Sequence, residues 1–395
     1  MTEPQTKVAR GAARHLFLVG IDVDSLGGSQ RVLHTLAQGF AGRGHTVDLV
    51  GIRPSPEPHP FVADPAYRRT TLYRAPAPPA RRAASLAERL GPAHLRAARA
   101  ERAERARARA LLARRLAAVP HGVRAHVIAG SPWAVVWLQS VPRDRRITVV
   151  GQYHESFLQA RATANLQLIL QHYPALEKAL FLSEADAAEF RRRRLPNAAV
   201  MPNPLPFDPL PGPSAPDTRR IGAVGRLEEV KRLDRLLDAF ATASAVRPGW
   251  ELHLFGDGPQ EPQLRALAAR LGIADRVRFR GSVRDMAAAY RELSVLALTS
   301  EREGRPMALA EASAAGVPCV SFDLSGGVRE LVADGRTGTL VPHGDTEAFA
   351  AALGELMADG ALRERYGRAA RAHVAPLALP AVLDRWEALF EEIDR

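Results

Sequence analysis

Short apolar runs alternate with longer amphipathic stretches along most of the chain. A run of about four to eight apolar residues indicates a buried strand, and apolar positions three and four residues apart indicate a helix. The runs predict strands at residues 15–21, 46–52, 70–73, 125–129, 147–150, 179–182, 199–201, 221–224, 251–255, 277–279, 295–298, 318–322 and 339–341. Helical patterns between them include residues 30–41, 158–172, 232–243 and 307–315. Strands that alternate with helices predict an α/β fold with parallel sheets covered on both faces.

A proline-rich segment divides this pattern into two halves. Seven prolines lie between residues 202 and 216, a composition typical of a linker. We therefore predict an N-terminal domain over residues 1–205, with a helical insert at about 81–118, and a C-terminal domain over residues 206–375. Residues 376–395 are predicted to form a helix that packs back towards the N-terminal domain. Two such domains leave a cleft at the carboxyl ends of their strands, where ligands usually bind.

The stretch from Leu298 to Asp323 combines two carboxylates with a predicted strand–loop–helix unit. Glu303 lies in the loop, Pro306 suits the first turn of the helix, and Glu311 lies within the helix. A helix that begins at a strand end attracts anions such as phosphate. Two flanking carboxylates add acceptors for hydroxyl groups, so the stretch suits a nucleotide sugar. A capped surface helix with two solvated glutamates is the alternative interpretation.

Glycine-containing turns follow three other predicted strands. Gly27-Gly28 follows the first strand, and Gly256-Asp257-Gly258-Pro259 follows the strand at 251–255. Arg226 and Lys231 flank the turn after the strand at 221–224, with Lys231 at the start of the next helix. Arginine can bind phosphate with two hydrogen bonds, and lysine acts as a point charge. A simple tight turn is the commoner explanation of Gly27-Gly28. Each turn alone is weak evidence, but three phosphate-suited turns at the strand ends of one sheet, at 225–231, 256–259 and 303–306, favour a diphosphate ligand.

The charge is distributed unevenly between the two halves. The formal net charge of +11 divides into +15 for residues 1–200 and −4 for residues 201–395. Eleven arginines fall within residues 81–118, a pattern that suits an anionic membrane or a polyanionic acceptor. A solvated helix face, or a general bias towards arginine, would also produce many of these charges.

Composition indicates an ordinary globular protein of a reducing compartment. The chain is 46% hydrophobic and 25% charged, and its one cysteine, Cys319, falls in an apolar strand where packing explains it. The sequence shows neither an apolar run of about 18 residues nor a leader-like apolar segment. We therefore expect a cytoplasmic protein, with peripheral contact at the inner face of the membrane through the arginine-rich insert.

The motifs of the second half resemble those of glycosyltransferase family 4, the retaining GT-B enzymes. They occur in the family's order as Gly-Arg-Leu…Lys at 225–231, Gly-Asp-Gly-Pro at 256–259, Phe-x-Gly at 279–281, Glu-x7-Glu at 303–311, Gly-Gly-Val-Arg-Glu at 326–330 and Asp-Gly-x-Thr-Gly at 334–338. The first half resembles the family more loosely, through Gly27-Gly28, Arg43-Gly44-His45, His154 and Pro202-Asn203-Pro204. The resemblance implies two Rossmann-like domains that face each other across a cleft.

The resemblance also implies roles for individual residues. Arg226 and Lys231 would hold the donor diphosphate, with the backbone of Gly28 closing on it from the other domain. Glu303 would bind hydroxyl groups of the donor sugar, and Glu311 those of the ribose. The remaining implied contacts are backbone groups of Arg305, Pro306 and Met307 near the sugar and phosphate, His154 near the anomeric side of the sugar, and the loop from Gly281 to Val283 along the base. Arg305 departs from the aromatic or aliphatic residue that relatives usually carry, which bears on the sugar contacts.

We therefore expect a hexosyltransferase that uses a nucleotide diphosphate sugar, a UDP-sugar, and a glycan, lipid-linked or anionic polymer acceptor. Fixed cations would take the place of a metal, so no cofactor is expected, and nucleic acid is not an expected partner. The stretch from Glu303 to Phe322 most resembles enzymes of bacterial cell-surface polysaccharide synthesis. A sugar-nucleotide epimerase on the same fold and a non-catalytic polyanion-binding protein are the two alternatives.

Overall fold

The computed structural model describes residues 12–76, 92–209 and 217–395. Within these residues, two parallel sheets form, one in each half of the chain. The strands of the N-terminal sheet are β1 (His15–Gly20), β2 (Thr46–Gly51), β3 (Arg68–Thr71), β4 (Ala125–Ala129), β5 (Ile147–Gln152), β6 (Lys178–Phe181) and β7 (Ala198–Val200). Those of the C-terminal sheet are β8 (Arg220–Val224), β9 (Glu251–Phe255), β10 (Val277–Gly281), β11 (Val295–Leu298), β12 (Cys319–Phe322) and β13 (Gly338–Val341).

Both sheets reverse their strand order at one point. The orders are β3-β2-β1-β4-β5-β6-β7 and β10-β9-β8-β11-β12-β13. In the N-terminal sheet, the chain adds β2 and β3 on one side of β1 and then β4 to β7 on the other side. The C-terminal sheet repeats this pattern, with β9 and β10 on one side of β8 and β11 to β13 on the other. The crevice at the carboxyl ends of the two strands that flank such a switch point is the usual ligand position of an open α/β sheet.

Helices cover both faces of each sheet. In the N-terminal half they are Gly28–Gly42, Pro92–Ala117, Pro132–Leu138, Phe157–Arg161, Asn165–His172 and Glu184–Arg192. In the C-terminal half they are Leu233–Ala245, Glu261–Arg270, Met286–Arg291, Met307–Ala314, Gly326–Leu331, Thr346–Ala358, Gly360–Val374 and Leu379–Asp394. Apolar side chains on the inner helix faces and on the strands form the buried core of each domain.

The helices predicted at 30–41 and 307–315 are observed as Gly28–Gly42 and Met307–Ala314. For the two other predicted helices, single residues explain the difference. The single helix expected over residues 158–172 is two helices, Phe157–Arg161 and Asn165–His172. Thr163 explains the break, since its hydroxyl donates to Gln159 O at 3.1 Å and accepts from Asn165 N at 3.2 Å. The helix expected from residue 232 begins at Leu233, because Arg232 adopts a left-handed conformation (φ 48°) that a helix cannot contain.

The C-terminal helix Leu379–Asp394 belongs to the core of the N-terminal domain. Trp386 and Phe390 pack on Phe40 with ring centroids 6.3 Å and 5.9 Å away. Arg43 adds ion pairs to Asp384 at 2.6 Å and Glu387 at 2.8 Å. The chain thus crosses between the domains twice, near residue 205 and near residue 377. The two crossings touch, since Leu205 N donates to Leu377 O at 2.8 Å.

The arginine-rich insert is described from Pro92 onwards, and residues 81–91 of the predicted segment lie outside the described residues. The second half of the helix Pro92–Ala117 packs into the core through Ala108, Leu112 and Leu116. Arg107 is paired with Glu104 at 2.6 Å, and Arg115 with Asp48 at 3.1 Å. Part of the basic charge is therefore used within the N-terminal domain itself.

Cys319 packs in the core of the C-terminal domain, as its apolar strand predicts. The Cys319 side chain is buried, and burial raises the pKa of its thiol to about 12, so the group stays a thiol. Along residues 12–76, 92–209 and 217–395, the structure contains no helix with the length and hydropathy needed to cross a membrane.

Candidate active site

The loops that follow β5 and β11 bring the two domains into contact. A Cβ atom at Gly304 would lie 2.7 Å from Ser156 N, so only glycine allows this approach. Gly327 packs on the carbonyl of Gly304 just as closely, and Ser325 Oγ donates to that same carbonyl at 2.8 Å. The loop from Glu303 to Gly304 is therefore held from both domains at the carboxyl ends of their strands.

The glycine turns of the C-terminal domain form a recess at its switch point. Gly225 follows β8 and Gly256 follows β9, both with positive φ (152° and 125°). A side chain at Gly256 would overlap the carbonyl of Gly225, so these two turns pack backbone to backbone. The recess beside Gly225 is lined by residues at the ends of β8 and β11, among them Gly225, Arg226, Lys231, Thr299 and Ser300.

Arg226 and Lys231 both line this recess, as the sequence predicts for a diphosphate site. The Arg226 side chain is 71% exposed and pairs with Glu228 at 3.0 Å. Lys231 lies in the 3₁₀ turn Glu229–Lys231, and its Nζ donates to Glu303 Oε1 at 2.6 Å. The arginine is thus free to follow a ligand, while the ammonium group is fixed in position.

One carboxylate oxygen of Glu303 accepts hydrogen bonds, and the other has no donor among the described residues. Its Oε1 accepts from Lys231 Nζ and, at 2.8 Å, from Ser300 Oγ. No hydrogen bond from any described residue reaches its Oε2. The carboxylate is oriented by two donors and retains an acceptor beside the recess, which is what binding a sugar hydroxyl requires.

Glu311 is buried, and its partners come from both domains. Its side chain is 2% exposed, with one oxygen paired to Arg31 of the helix Gly28–Gly42 and the other accepting from Tyr290 Oη at 3.1 Å. Burial raises the pKa of the Glu311 carboxyl, and the nearby Arg31 opposes that rise. The sequence interpretation did not single out Arg31. Its position in the first helical turn after Gly27-Gly28 was the available signal.

His154 offers an acceptor in the loop after β5. Its Nδ1 lies 3.1 Å from Asn203 Oδ1, a contact that assigns the proton to Nδ1. Its Nε2 is buried and has no hydrogen-bond partner among the described residues. Burial lowers the pKa of the imidazole to about 4, although the bond to Asn203 opposes this. At neutral pH, Nε2 is therefore an unprotonated acceptor that a polar ligand group can satisfy.

Arg305 directs its side chain to the domain contact. Its Nη1 donates to Leu182 O at 3.0 Å, and its Nη2 lies 3.7 Å from Glu330. Burial lowers the pKa of the guanidinium. The departure from the family's residue at this position is therefore an interdomain contact in the structure. Pro306 precedes the helix Met307–Ala314, whose first turn supplies backbone N–H groups without intrahelical partners.

For the remaining predicted positions, Gly28, Gly281 and Val283, the structure shows no side-chain contact that decides a role. A Cβ atom at Gly28 would meet no heavy atom within 4 Å, so the space before it is open. Gly281 has a φ of 63° and accepts from Gly256 N at 2.8 Å. Val283 packs in the cluster that contains Tyr290. Their contacts to a phosphate or a base stay predictions.

Comparison with protein-family models adds to this geometry. Residues 211–373 match the model of glycosyl transferases group 1. The matched range contains Arg226, Lys231, Glu303 and Glu311, so the recess lies within it. The description of this model is glycosyl transfer, and two of the relatives described below carry glycosyltransferase in their names.

Curated relatives match parts of the chain. An exopolysaccharide phosphotransferase of Streptomyces coelicolor is 34% identical over 68% of this chain and 28% of its own. The amylovoran biosynthesis glycosyltransferase AmsD of Erwinia amylovora is 31% identical over 42% of this chain and 46% of its own. A D-inositol 3-phosphate glycosyltransferase of Streptomyces avermitilis is 41% identical over 38% of this chain and 34% of its own. The chain thus spans less than half the length of these relatives.

Solved structures match nearly the whole chain. HepE of Anabaena in complex with UDP has a TM-score of 0.71 at 18% identity, over 96% of this chain and all (100%) of its own. A sucrose-phosphate synthase of Thermosynechococcus elongatus has a TM-score of 0.72 at 19% identity. The match covers 96% of this chain and 99% of the synthase chain. Together with the two parallel Rossmann-like sheets, they confirm the predicted α/β fold of GT-B type.

Removal of either cation of the recess should reduce turnover without unfolding the protein. We expect Arg226→Ala and Lys231→Ala to lower the turnover of a nucleotide-sugar donor by about 10²–10³-fold, the usual loss when one fixed charge donor to a developing anion is removed. Steady-state kinetics and thermal melting measure the two properties. Lys178→Ala is the matched control, since Lys178 pairs with Glu392 at 2.7 Å at the amino end of β6. Normal activity in either recess variant would remove that residue from the mechanism.

The imidazole of His154 should stay neutral across the physiological range. Because burial lowers its pKa to about 4, we expect no titration between pH 5 and 8. Imidazole ¹⁵N shifts in NMR spectra, assigned by comparison with His154→Asn, measure this directly. A titration midpoint near the ordinary histidine value of about 6.5 would contradict the buried, unprotonated state.

Proposed function

We propose that the chain is a retaining GT-B glycosyltransferase of family 4. It transfers a sugar from a UDP-sugar to a glycan, lipid-linked or cell-wall polymer acceptor. The observation that carries the proposal is the oriented Glu303 carboxylate, which retains a vacant acceptor beside a recess that contains Arg226 and Lys231. The relatives named for exopolysaccharide, amylovoran and lipopolysaccharide core biosynthesis support the acceptor class. The neighbour with bound UDP-glucose supports the donor class.

The reaction breaks the bond between the anomeric carbon of the sugar and an oxygen of the diphosphate. That oxygen leaves with the bonding electrons, and Arg226 and Lys231 stabilise its negative charge. An acceptor hydroxyl oxygen bonds to the anomeric carbon on the same face, and its proton passes to the leaving diphosphate oxygen. Glu303 Oε2 and His154 Nε2 position sugar hydroxyls during this exchange. Front-face attack keeps the anomeric configuration and uses no carboxylate nucleophile.

Fixed side-chain cations supply the positive charge in this proposal, so the reaction needs no metal. Along residues 12–76, 92–209 and 217–395, the structure contains no cluster of three or more His, Cys, Asp or Glu side chains suited to a metal ion. The epimerase alternative would need a pair of carboxylates acting as acid and base at the sugar, whereas Glu303 is a single carboxylate whose Oε1 is bound to Lys231 and Ser300. The polyanion-binding alternative predicts no donor turnover.

A thermal-shift panel of nucleotide sugars tests the donor site. UDP and a UDP-sugar at about 100 times the dissociation constant should stabilise the protein by about 2.7 kcal/mol, since they bind the folded state alone. Lys231→Ala should lose this shift and Lys178→Ala should keep it. Donor hydrolysis without an acceptor should accompany binding and persist in EDTA. If no nucleotide sugar shifts the melting temperature, or if EDTA abolishes turnover and Mn²⁺ restores it, the corresponding part of the proposal fails.

Peripheral membrane contact through the helix Pro92–Ala117 is the second part of the proposal. Arg99, Arg102 and Arg114 are exposed and have no ion-pair partner within the described residues. Each cation near an anionic lipid surface contributes roughly 1 kcal/mol, screened within about 8 Å at physiological salt. Several such cations would hold the protein at an anionic membrane reversibly.

Vesicle co-sedimentation tests this contact. We expect binding to anionic vesicles that falls with salt, and little binding to neutral ones. Changing Arg96, Arg99, Arg102 and Arg105 to Gln should abolish binding. The matched variant, with Arg143, Arg145, Arg247 and Arg336 changed to Gln, loses the same charge elsewhere and should still bind. Binding that does not depend on lipid charge or on salt would contradict this part of the proposal. The basic residues of the helix would then form a solvated face with no role in membrane binding.

A further inference from the structure

A second cavity lies between the two domains, next to the recess. Its volume is about 470 Å³, a size that suits a small ligand. The N-terminal domain contributes the helix Phe157–Arg161, and the C-terminal domain contributes the loop after β11. The lining includes Leu158, Arg161, Glu301, Arg302, Glu303 and His343.

One ion pair, between Lys231 and Glu303, lies between the cavity and the recess. Lys231 and Ser300 line the recess, Glu303 lines the cavity, and Glu303 Oε1 binds both of them. The Lys231–Glu303 pair is therefore the wall shared by the two spaces. A molecule in the cavity lies on the far side of Glu303 from a diphosphate in the recess.

Two arginine side chains of the cavity lining have no acidic partner among the described residues. Arg161 and Arg302 are exposed and make no ion pair or hydrogen bond with any described residue. The carboxylates of the lining are already neutralised. Glu301 lies 2.9 Å from Arg235 and 3.4 Å from Arg232, and Glu303 pairs with Lys231.

The cavity also has an apolar part. Leu158 is a large apolar residue that is nevertheless 48% exposed, and Leu324 and Ala162 lie in the same lining. Apolar side chains of this kind contact the C–H faces of a polyol or sugar ring. The combination of two guanidinium groups and an apolar wall fits a hydroxyl compound that carries an anionic group.

We propose that this cavity binds the acceptor, and that Arg161 and Arg302 hold a phosphate group on it. Guanidinium groups bind phosphate through paired hydrogen bonds, and one from each domain would hold the acceptor across the cleft. The inference rests on the proposed glycosyl transfer and adds the chemical class of the acceptor. The phosphate can belong to a soluble polyol phosphate or to a lipid head group.

Isothermal titration with the recess filled by saturating UDP tests this site. The probes are glycerol 3-phosphate, glycerol and a short-chain phosphatidic acid below its micelle concentration. We expect glycerol 3-phosphate or phosphatidic acid to bind and glycerol not to bind. Tighter binding of the phosphatidic acid would identify a lipid head group as the source of the phosphate. Tighter binding of glycerol 3-phosphate would identify a soluble polyol phosphate. The double variant Arg161→Gln/Arg302→Gln should weaken binding of the phosphate probe by about tenfold or more, since charged hydrogen bonds are lost.

The matched control is the double variant Arg143→Gln/Arg336→Gln. It removes one exposed arginine from each domain at the amino ends of β5 and β13, far from the cleft, and should bind like the wild type. The inference is overturned if neither phosphate probe binds, if glycerol binds equally well, or if both double variants weaken binding equally. UDP binding to all three proteins, measured in the same cell, distinguishes failure of this inference from failure of the proposed donor site.

Discussion

The ion pair between Lys231 and Glu303 is the constraint on which the site depends. It joins the turn after β8 to the loop after β11, the two strand ends that flank the switch point. Backbone contacts support it, because Glu301 N donates to Val230 O at 2.7 Å and Thr299 Oγ1 donates to Arg232 O at 3.0 Å. The left-handed conformation of Arg232 ends the turn and allows the helix Leu233–Ala245 to begin in the correct direction. A phosphate-suited recess and a separate cavity exist side by side because this pair stands between them.

Glycine at a few positions lets the two domains approach closely enough to complete the site. Gly304 touches Ser156 N, and Gly326 packs on Ala185, with no room for a side chain at either position. Arg305 then secures the contact through Leu182 O, and Glu330 accepts from Glu184 N at 2.8 Å. The loop that carries Glu303 is therefore positioned by both domains. Its geometry depends on the contacts between the domains as much as on the local sequence.

The sequence predicted the strands well because their apolar runs are short, buried and separated by polar turns. It also placed Arg226, Lys231 and Glu303 after strands of the C-terminal half, and the carboxyl ends of parallel strands share one sheet edge. It did not predict that Lys231 and Glu303 would bind each other, since both were assigned to a ligand. Thr163 broke a helix through a side-chain hydrogen bond that the apolar pattern does not register. Contacts such as Arg31 with Glu311 join distant parts of the chain, and periodicity carries no information about them.

The pair of Arg31 and Glu311 links the helix Met307–Ala314 to the arrangement of the domains. A buried carboxylate is unfavourable without a partner, and removing one partner of a buried ion pair typically costs about 3–5 kcal/mol. A movement that separates the domains would leave Glu311 with the Tyr290 hydroxyl alone, which favours proton uptake because burial already raises its pKa. In the proposed function, ribose hydroxyls would be a second set of hydrogen-bond donors to the Glu311 carboxylate. Domain position and nucleotide binding would then act on the same two oxygen atoms.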